Sequence, residues 1–310
     1  MFSALRLRIS NRLRREKNSW QLWLMLLPCL IVLVLFRYGP MYGAQIAFRN
    51  YKATKGIWGS EWVGIRNFTR FFNSDQCWIV IRNTLVISIY QLIVAFPFAI
   101  LLALFINNCP SKRMRGIVQT VSYAPHFISD VVMVGIIMIF TASGTGLVSR
   151  LYTALTGQIA PLFMGRADLF PHIYVWTGIW QHTGWDSIIY VAALSGVSME
   201  LYEAAMIDGA TKMQRILHID LPSILPTAVT LLILNCGSIM SVGFEKALLM
   251  QNNLNSATSQ IISTYVYNVG LKGGQFSFAS AVGLLNSCVN LILIVGVNSV
   301  VKRLSDSSLW

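Results

Sequence analysis

Six long apolar stretches limit what this chain can fold into more than any other feature of its sequence. An α-helix rises 1.5 Å per residue, so crossing the ~30 Å hydrocarbon core of a bilayer takes about 20 apolar residues. The sequence therefore predicts an all-α integral membrane protein with six transmembrane helices. The predicted spans are Trp20 to about Tyr42, Trp78 to Ile106, Gly116 to Phe140, Pro171 to Leu194, Ile224 to Gly243 and Phe276 to Val301.

The composition argues against a soluble fold. Hydrophobic residues make up 55% of the 310 residues and charged residues only 12%, about half the ~25% that is usual for soluble domains. The segments between the spans are too short to bury a core of their own. We therefore expect a basic tail over residues 1–19, followed by a single transmembrane domain over residues 20–310.

The basic residues predict how the chain is oriented in the membrane. The formal net charge is +12, and lysines and arginines are dense in the tail and in the short segment 107–116. Short basic segments tend to stay in the cytoplasm, so both termini are predicted to be cytoplasmic. Because these charges flank apolar spans, they indicate topology and contact with lipid headgroups rather than nucleic acid. The first apolar stretch is long for a signal peptide and no convincing cleavage site follows it, so we expect it to remain as a helix.

One charged segment interrupts the apolar pattern. Residues 200–226 lie between the fourth and fifth spans and read ELYEAAMIDGATKMQRILHIDLPSILP. Asp208-Gly209 is a turn signal, and Thr211 can cap a second short helix that runs to about His218. The apolar side of this predicted helix–turn–helix suits docking into a groove on a partner protein. On pattern alone, an ordinary polar connector is the alternative.

The same segment resembles the EAA motif of binding-protein-dependent ABC importer permeases. The motif sets a Glu-Ala-Ala triplet, a glycine, an isoleucine and a Leu-Pro pair at fixed spacings, and this sequence agrees at each of them. In that family the segment forms a coupling helix, which inserts into a cleft on the ATPase subunit. The resemblance implies ATPase coupling for Glu203, Ala204, Ala205, Asp208, Gly209, Ile219, Leu221 and Pro222.

Other stretches extend the resemblance over nearly the whole chain, toward the carbohydrate and polysaccharide branch related to LplB-type permeases. The branch implies a type I ABC importer permease in a bacterial cytoplasmic membrane, with a core over about 78–301. It also implies a second homologous permease, two ABC ATPase subunits that bind ATP and Mg²⁺, an extracytoplasmic solute-binding lipoprotein and a saccharide substrate. No cofactor is expected on this chain. The stretches are Tyr38 to Phe48, Trp62 to Phe68, Tyr123 to Ser129, Trp180 to Leu194 and Ser241 to Met250.

The resemblance implies that the sugar path runs along the spans on either side of the coupling segment, the fourth and the fifth. These spans offer aromatic faces and amides, which suit the C–H surfaces and hydroxyl groups of saccharides. Two pairs share a helix face, Gln181 with Trp185 and Asn235 with Ser238. For each residue alone, an interfacial tryptophan or an interhelical hydrogen bond is the alternative. The candidates are Trp180, Gln181, Trp185, Asn235, Ser238 and Glu245.

Other functions fit the sequence less well. No GxxxxGK[ST] motif is present, so ATP hydrolysis is expected on a partner chain. A membrane-embedded enzyme would need a nucleophile or a metal set beside the histidines, and no catalytic or metal-binding residue is assigned. A channel or secondary transporter would leave the motif at 200–226 unexplained. Among importers, an amino acid, phosphate or a metal chelate is the alternative substrate.

Overall fold

The structure, a computed structural model, describes residues 20–304 and is a bundle of membrane-length helices. Two pairs of helices are each bent by more than 40° at a short break, and with them this part of the chain holds six candidate spans. The predicted cytoplasmic tail at 1–19 lies outside the described residues. Four continuous helices are long and apolar enough to cross a bilayer, namely Trp20–Phe48, Asp75–Asn107, Lys212–Cys236 and Phe276–Arg303.

The secondary structure is almost entirely helical, with one small hairpin. Turns of wider π-helix extend the helices at Val34–Tyr38, Ile216–Asp220 and Tyr267–Lys272. Tighter 3-10 turns do so at Tyr42–Phe48 and Ala124–Phe127, and a separate 3-10 turn lies at Phe163–Gly165. The elements are α1 (Trp20–Leu33), α2 (Gly39–Met41), β1 (Arg49–Lys52), β2 (Gly56–Trp62), α3 (Arg66–Phe72), α4 (Asp75–Asn107), α5 (Lys112–Tyr123), α6 (Asp130–Thr141), α7 (Leu147–Thr156), α8 (Phe170–Ser195), α9 (Met199–Ile207), α10 (Lys212–Arg215), α11 (Leu221–Cys236), α12 (Phe244–Met250), α13 (Ser256–Ser259), α14 (Ile262–Val266) and α15 (Phe276–Leu304).

The centre of the bundle is the pair α4 and α8, which pack along each other more extensively than any other two elements. One buried cluster joins α4, α6, α8 and α12, and a second joins α4 and α8 to α11. The close approach of α8 to α5 depends on Gly184, because a Cβ at this position would lie 1.9 Å from the carbonyl oxygen of Ser122. Only a residue without a side chain lets two backbones come this close.

The antiparallel hairpin β1–β2 caps one end of the bundle. The sequence analysis did not predict these strands. The ring of Phe48 stacks on that of Trp62, with centroids 5.6 Å apart. The backbone N–H of Tyr51 donates to Ser277 Oγ at 2.8 Å, which fastens the hairpin to the start of α15.

The first helix stands apart from the rest of the bundle. None of the residues of α1 is buried in the described chain. The segment that follows α1 contacts the bundle at the 3-10 turn Tyr42–Phe48, which packs against α15. An apolar helix with no buried face must be covered by lipid or by another membrane protein.

The third predicted span is present as two helices joined at a sharp bend. The helix formed by α5 and its 3-10 turn ends at Phe127, α6 begins at Asp130, and the two axes differ by 99°. Pro125 is the second residue of the 3-10 turn and has no N–H to donate. Ser129 then caps α6 by accepting the N–H of Val132 at 3.4 Å. Apolar content predicts burial in the membrane, and it carries no information on whether the helix runs straight.

Candidate functional site

The EAA segment leaves the bundle as an exposed helix that ends in a tight turn. After α8, the chain bends by 72° into α9, whose first turn is capped when Ser198 Oγ accepts the N–H of Glu200. At the other end Gly209 has a φ of +76°, in the left-handed region that glycine adopts without strain. The turn predicted at Asp208-Gly209 is therefore present.

The second short helix of the segment does not end at His218. Thr211 caps it as predicted, because its hydroxyl accepts the N–H of Gln214 at 3.3 Å, while Gln214 Oε1 accepts the N–H of Thr211 at 2.7 Å. The chain then passes through the π-helical turn into α11 without a break. Pro222 lies just after this π-helical turn, and the helix continues through it.

Most of the motif residues are on the surface of the chain. Ala205 and Ile219 are half-buried, whereas the other six motif residues are exposed. Large apolar side chains beside them are exposed too, with Ile207 at 86%, Met206 at 50% and Met213 at 62%. An apolar patch with Glu203 at its edge is the kind of surface that a partner protein covers.

A cavity of about 730 Å³ opens between α4, α8 and the chain at the end of α11. Its size is that of a typical small-ligand site. Apolar side chains make up most of its wall, and the wall also contains a carboxylate, several groups that hydrogen-bond and one indole. They include Gln91, Trp185, Asp186, Asn235, Ser238 and Ser241.

Three of the six predicted path residues line this cavity, namely Trp185, Asn235 and Ser238. The indole of Trp185 is held in place from behind. It stacks on the His126 ring with centroids 4.3 Å apart, and His126 Nδ1 lies 3.1 Å from His182 Nδ1. The 3-10 turn before the bend in the third span therefore fixes one wall of the cavity.

The other three predicted path residues lie outside the cavity wall. Trp180 is exposed on the outer side of α8, and Glu245 is exposed on α12 beyond the cavity. Gln181 is only 1% exposed, and its Nε2 donates to the carbonyl oxygen of Ile128 at 2.9 Å. Gln181 and Trp185 both face the bend, but only Trp185 reaches the cavity.

Some polar residues of the spans form interhelical hydrogen bonds instead of lining a path. Asn83 is buried, and its Nδ2 donates to the carbonyl oxygens of Ala257 and Gln260 at 2.9 and 3.0 Å. Asn290 Nδ2 donates to Ser241 Oγ at 2.9 Å. The sequence analysis did not select Asp186 and Gln91 of the cavity wall, because the sequence of a span does not show which of its faces will line a cavity once the helices pack.

Comparison with known proteins gives consistent results. Residues 95–305 match the family described as binding-protein-dependent transport system inner membrane component. Protein LplB of Bacillus subtilis (strain 168) is 41% identical over 95% of this chain and 92% of its own length. The polygalacturonan/rhamnogalacturonan transport system permease protein YteP of the same organism is 39% identical over 93% and 90%.

A solved structure extends the likeness to three dimensions. It is a chain of a bacterial alginate ABC transporter, solved in complex with a periplasmic protein that holds an alginate pentasaccharide. The two chains are 38% identical with a TM-score of 0.87, and the match covers 96% of this chain and 99% of the other.

Proposed function

This chain belongs to the binding-protein-dependent transport system inner membrane component family, and from that premise we propose that it is one permease subunit of an ATP-driven importer of oligosaccharides or polysaccharide fragments. It is a multi-pass protein of the cytoplasmic membrane and not itself an enzyme. The observation that carries the proposal is the exposed helix α9 with its glycine turn, at the position of the EAA motif. We assign coupling to the ATPase to the eight motif residues given above.

The proposed mechanism is a rigid-body change between two states. ATP binding closes the ATPase dimer, and α9, docked on it, moves with the subunit surface. Since α9 lies between α8 and the helix that continues into α11, its motion tilts two of the helices that line the cavity. The cavity then opens alternately toward either side of the membrane. ATP and Mg²⁺ remain on the partner chain.

The uncovered surfaces support two further partners. The cavity is open on one side, and α1 has no buried face, so we assign both surfaces to a second homologous permease and the surrounding lipid. The hairpin end carries exposed aromatic side chains, with Trp58 at 75% and Trp62 at 59%, which suits a docked solute-binding lipoprotein. In this arrangement α9 and both termini are cytoplasmic.

The cavity wall supports a saccharide over the alternative solutes. An indole with Asn235, Ser238 and Gln91 offers stacking and hydrogen bonds to hydroxyl groups, and no lysine or arginine is among the residues that line the cavity. A phosphate or another small anion would need such cations. Two of the named relatives belong to polysaccharide transport systems, for polygalacturonan/rhamnogalacturonan and for alginate. Of the predicted path residues, we retain Trp185, Asn235 and Ser238 as contacts for the sugar.

The composition of the complex tests this proposal. This chain would be tagged, co-expressed with its genomic neighbours in the host and purified in detergent. We expect an ABC ATPase and a second permease to co-elute in a fixed ratio, as quantified by mass spectrometry. Recovery of the chain alone or as a homo-oligomer, with both neighbours expressed and soluble in the same detergent, would overturn the assignment.

A further inference from the structure

A buried carboxylate joins three separate elements beneath the coupling segment. Asp220 closes the π-helical turn that leads into α11 and is fully buried. Its Oδ2 accepts Nδ2 of Asn108, just after the end of α4, at 2.6 Å. Its Oδ1 accepts the hydroxyl of Tyr202, on α9, at 2.5 Å. One side chain thus ties α9, α11 and the end of α4 together.

The neighbouring groups strengthen this junction. Lys212 Nζ donates to the carbonyl oxygen of Asn108 at 2.7 Å, so α10 holds the end of α4 as well. Burial, followed by the bond to Asp220, raises the pKa of Tyr202 to about 12, so its hydroxyl keeps the proton that it donates. The charge-assisted bonds to a buried carboxylate are stronger than neutral ones, and removing one partner leaves the other desolvated.

We propose that Asp220 is a positioning residue that transmits the movement of α9 to α4, and so to the far wall of the cavity. The inference rests on the proposed function. The chain connects α9 to α8 and, through α10, to α11, whereas α4 meets the segment only through non-covalent contacts. Asp220 supplies the hydrogen bonds that join the end of α4 to α9 and α11, and α4 carries Gln91 and Phe96 of the cavity wall. Without them, α4 would follow α9 only through its packing on α8 and the bond from Lys212, so the two elements would move less closely together.

The test is an exchange of amide and carboxylate. In Asp220→Asn, the new amide cannot accept from Asn108 and Tyr202 together. The double variant Asn108→Asp with Asp220→Asn restores a donor–acceptor pair, because the amide at 220 donates to the carboxylate at 108 and accepts from Tyr202. In liposomes, sugar-loaded binding protein should stimulate the ATPase activity of the single variant at least fivefold less than that of wild type. We expect the double variant to recover to within twofold of wild type.

A second readout does not depend on transport. The five native cysteines would first be replaced by serine. Spin labels would then be attached at Ile207→Cys on α9 and Phe105→Cys on α4, both of which are exposed in the described chain. The labels report the distance between these two helices. We expect a broader distance distribution in Asp220→Asn and the wild-type width in the double variant. If the single variant does not fold, Tyr202→Phe, which removes one donor, is expected to give the same broadening.

The outcomes separate this inference from the proposed function. Wild-type stimulation and wild-type width in Asp220→Asn would overturn the role of Asp220. Failure of the double variant to improve on the single one would overturn it too, because the exchange restores the hydrogen bonds on which the proposed role depends. If wild type itself shows no stimulation while the label distances respond as expected, the proposed function fails and the junction stands.

Discussion

The indole of Trp185 lies flat against the imidazole of His126, with ring centroids 4.3 Å apart and planes 3° from parallel. Trp185 belongs to α8, whereas His126 belongs to the 3-10 turn before the bend in the third span. The bend therefore sets the orientation of the one indole in the cavity wall. A stacked, pre-oriented ring loses little entropy when a sugar packs on its open face.

Replacing this indole should weaken the site for sugar. We expect Trp185→Ala to raise the sugar-loaded binding protein concentration needed for half-maximal ATPase stimulation by about tenfold, which corresponds to ~1.4 kcal/mol. Trp180→Ala is the matched control, because it removes the same side chain from an exposed position outside the cavity wall. A tenfold effect of Trp180→Ala, with none from Trp185→Ala, would contradict the assignment of the cavity.

The amide of Gln181 should matter for stability and not for sugar. Gln181 bonds the carbonyl oxygen of Ile128 at the bend, and its loss leaves a void and an unpaired acceptor. We expect Gln181→Ala to lower the unfolding free energy by about 2–4 kcal/mol, measured as a lower melting temperature of the purified complex. Exposed Gln158 is the control, and Gln158→Ala should leave the melting temperature unchanged. An intact melting temperature in Gln181→Ala would show that the bond is dispensable.

Gly209 should tolerate no residue that requires a negative φ. Proline fixes φ near −65°, whereas Gly209 has +76°. We expect Gly209→Pro to reach the membrane in normal amount and to lose most of the co-purifying ATPase, because the turn after α9 is displaced. Gly157 has a φ of +69° and equally free space around it, so Gly157→Pro is the control for backbone strain alone. Equal loss of ATPase in both variants would mean that the defect is general.

A reversed charge at Glu203 should act on the interface instead of the fold. Glu203 is exposed on α9 beside the apolar patch, so Glu203→Lys changes the surface that meets the ATPase. We expect normal membrane insertion with at least a fivefold loss of co-purified ATPase. The control is Glu61→Lys, which reverses a charge at an exposed position of β2, in the hairpin. Retention of full ATPase and full stimulation by Glu203→Lys would argue against contact at this residue.

Local patterns were enough to place most of the helices. The apolar run predicted from Trp78 to Ile106 corresponds to α4, Asp75–Asn107, because the length of an apolar stretch is a property of the sequence alone. The turn at Gly209 was equally visible, since an Asp-Gly pair signals a chain reversal before any tertiary contact exists. The resemblance at 200–226 identified the EAA motif, which the structure places on an exposed helix and turn.

Features that depend on packing could not be predicted in the same way. The bend at Ile128 is stabilised by Gln181 from another helix, a contact separated by more than 50 residues. The same contact keeps Gln181 out of the cavity wall. The prediction that Gln181 and Trp185 share one face of the helix was correct. The sequence analysis assigned no role to Asp220, because its contacts with Asn108 and Tyr202 form only when the helices are packed.

The measurement that tests the account most directly is the ATPase activity of the co-purified complex in liposomes. A panel of neutral and acidic oligosaccharides would be presented, each with the cognate solute-binding protein. We predict that one class of glycan stimulates hydrolysis several-fold, and that the Gly209→Pro variant abolishes this response. Stimulation by an amino acid or phosphate with none by any saccharide would contradict the proposed substrate. A complex without ATPase activity under all conditions would contradict the coupling itself.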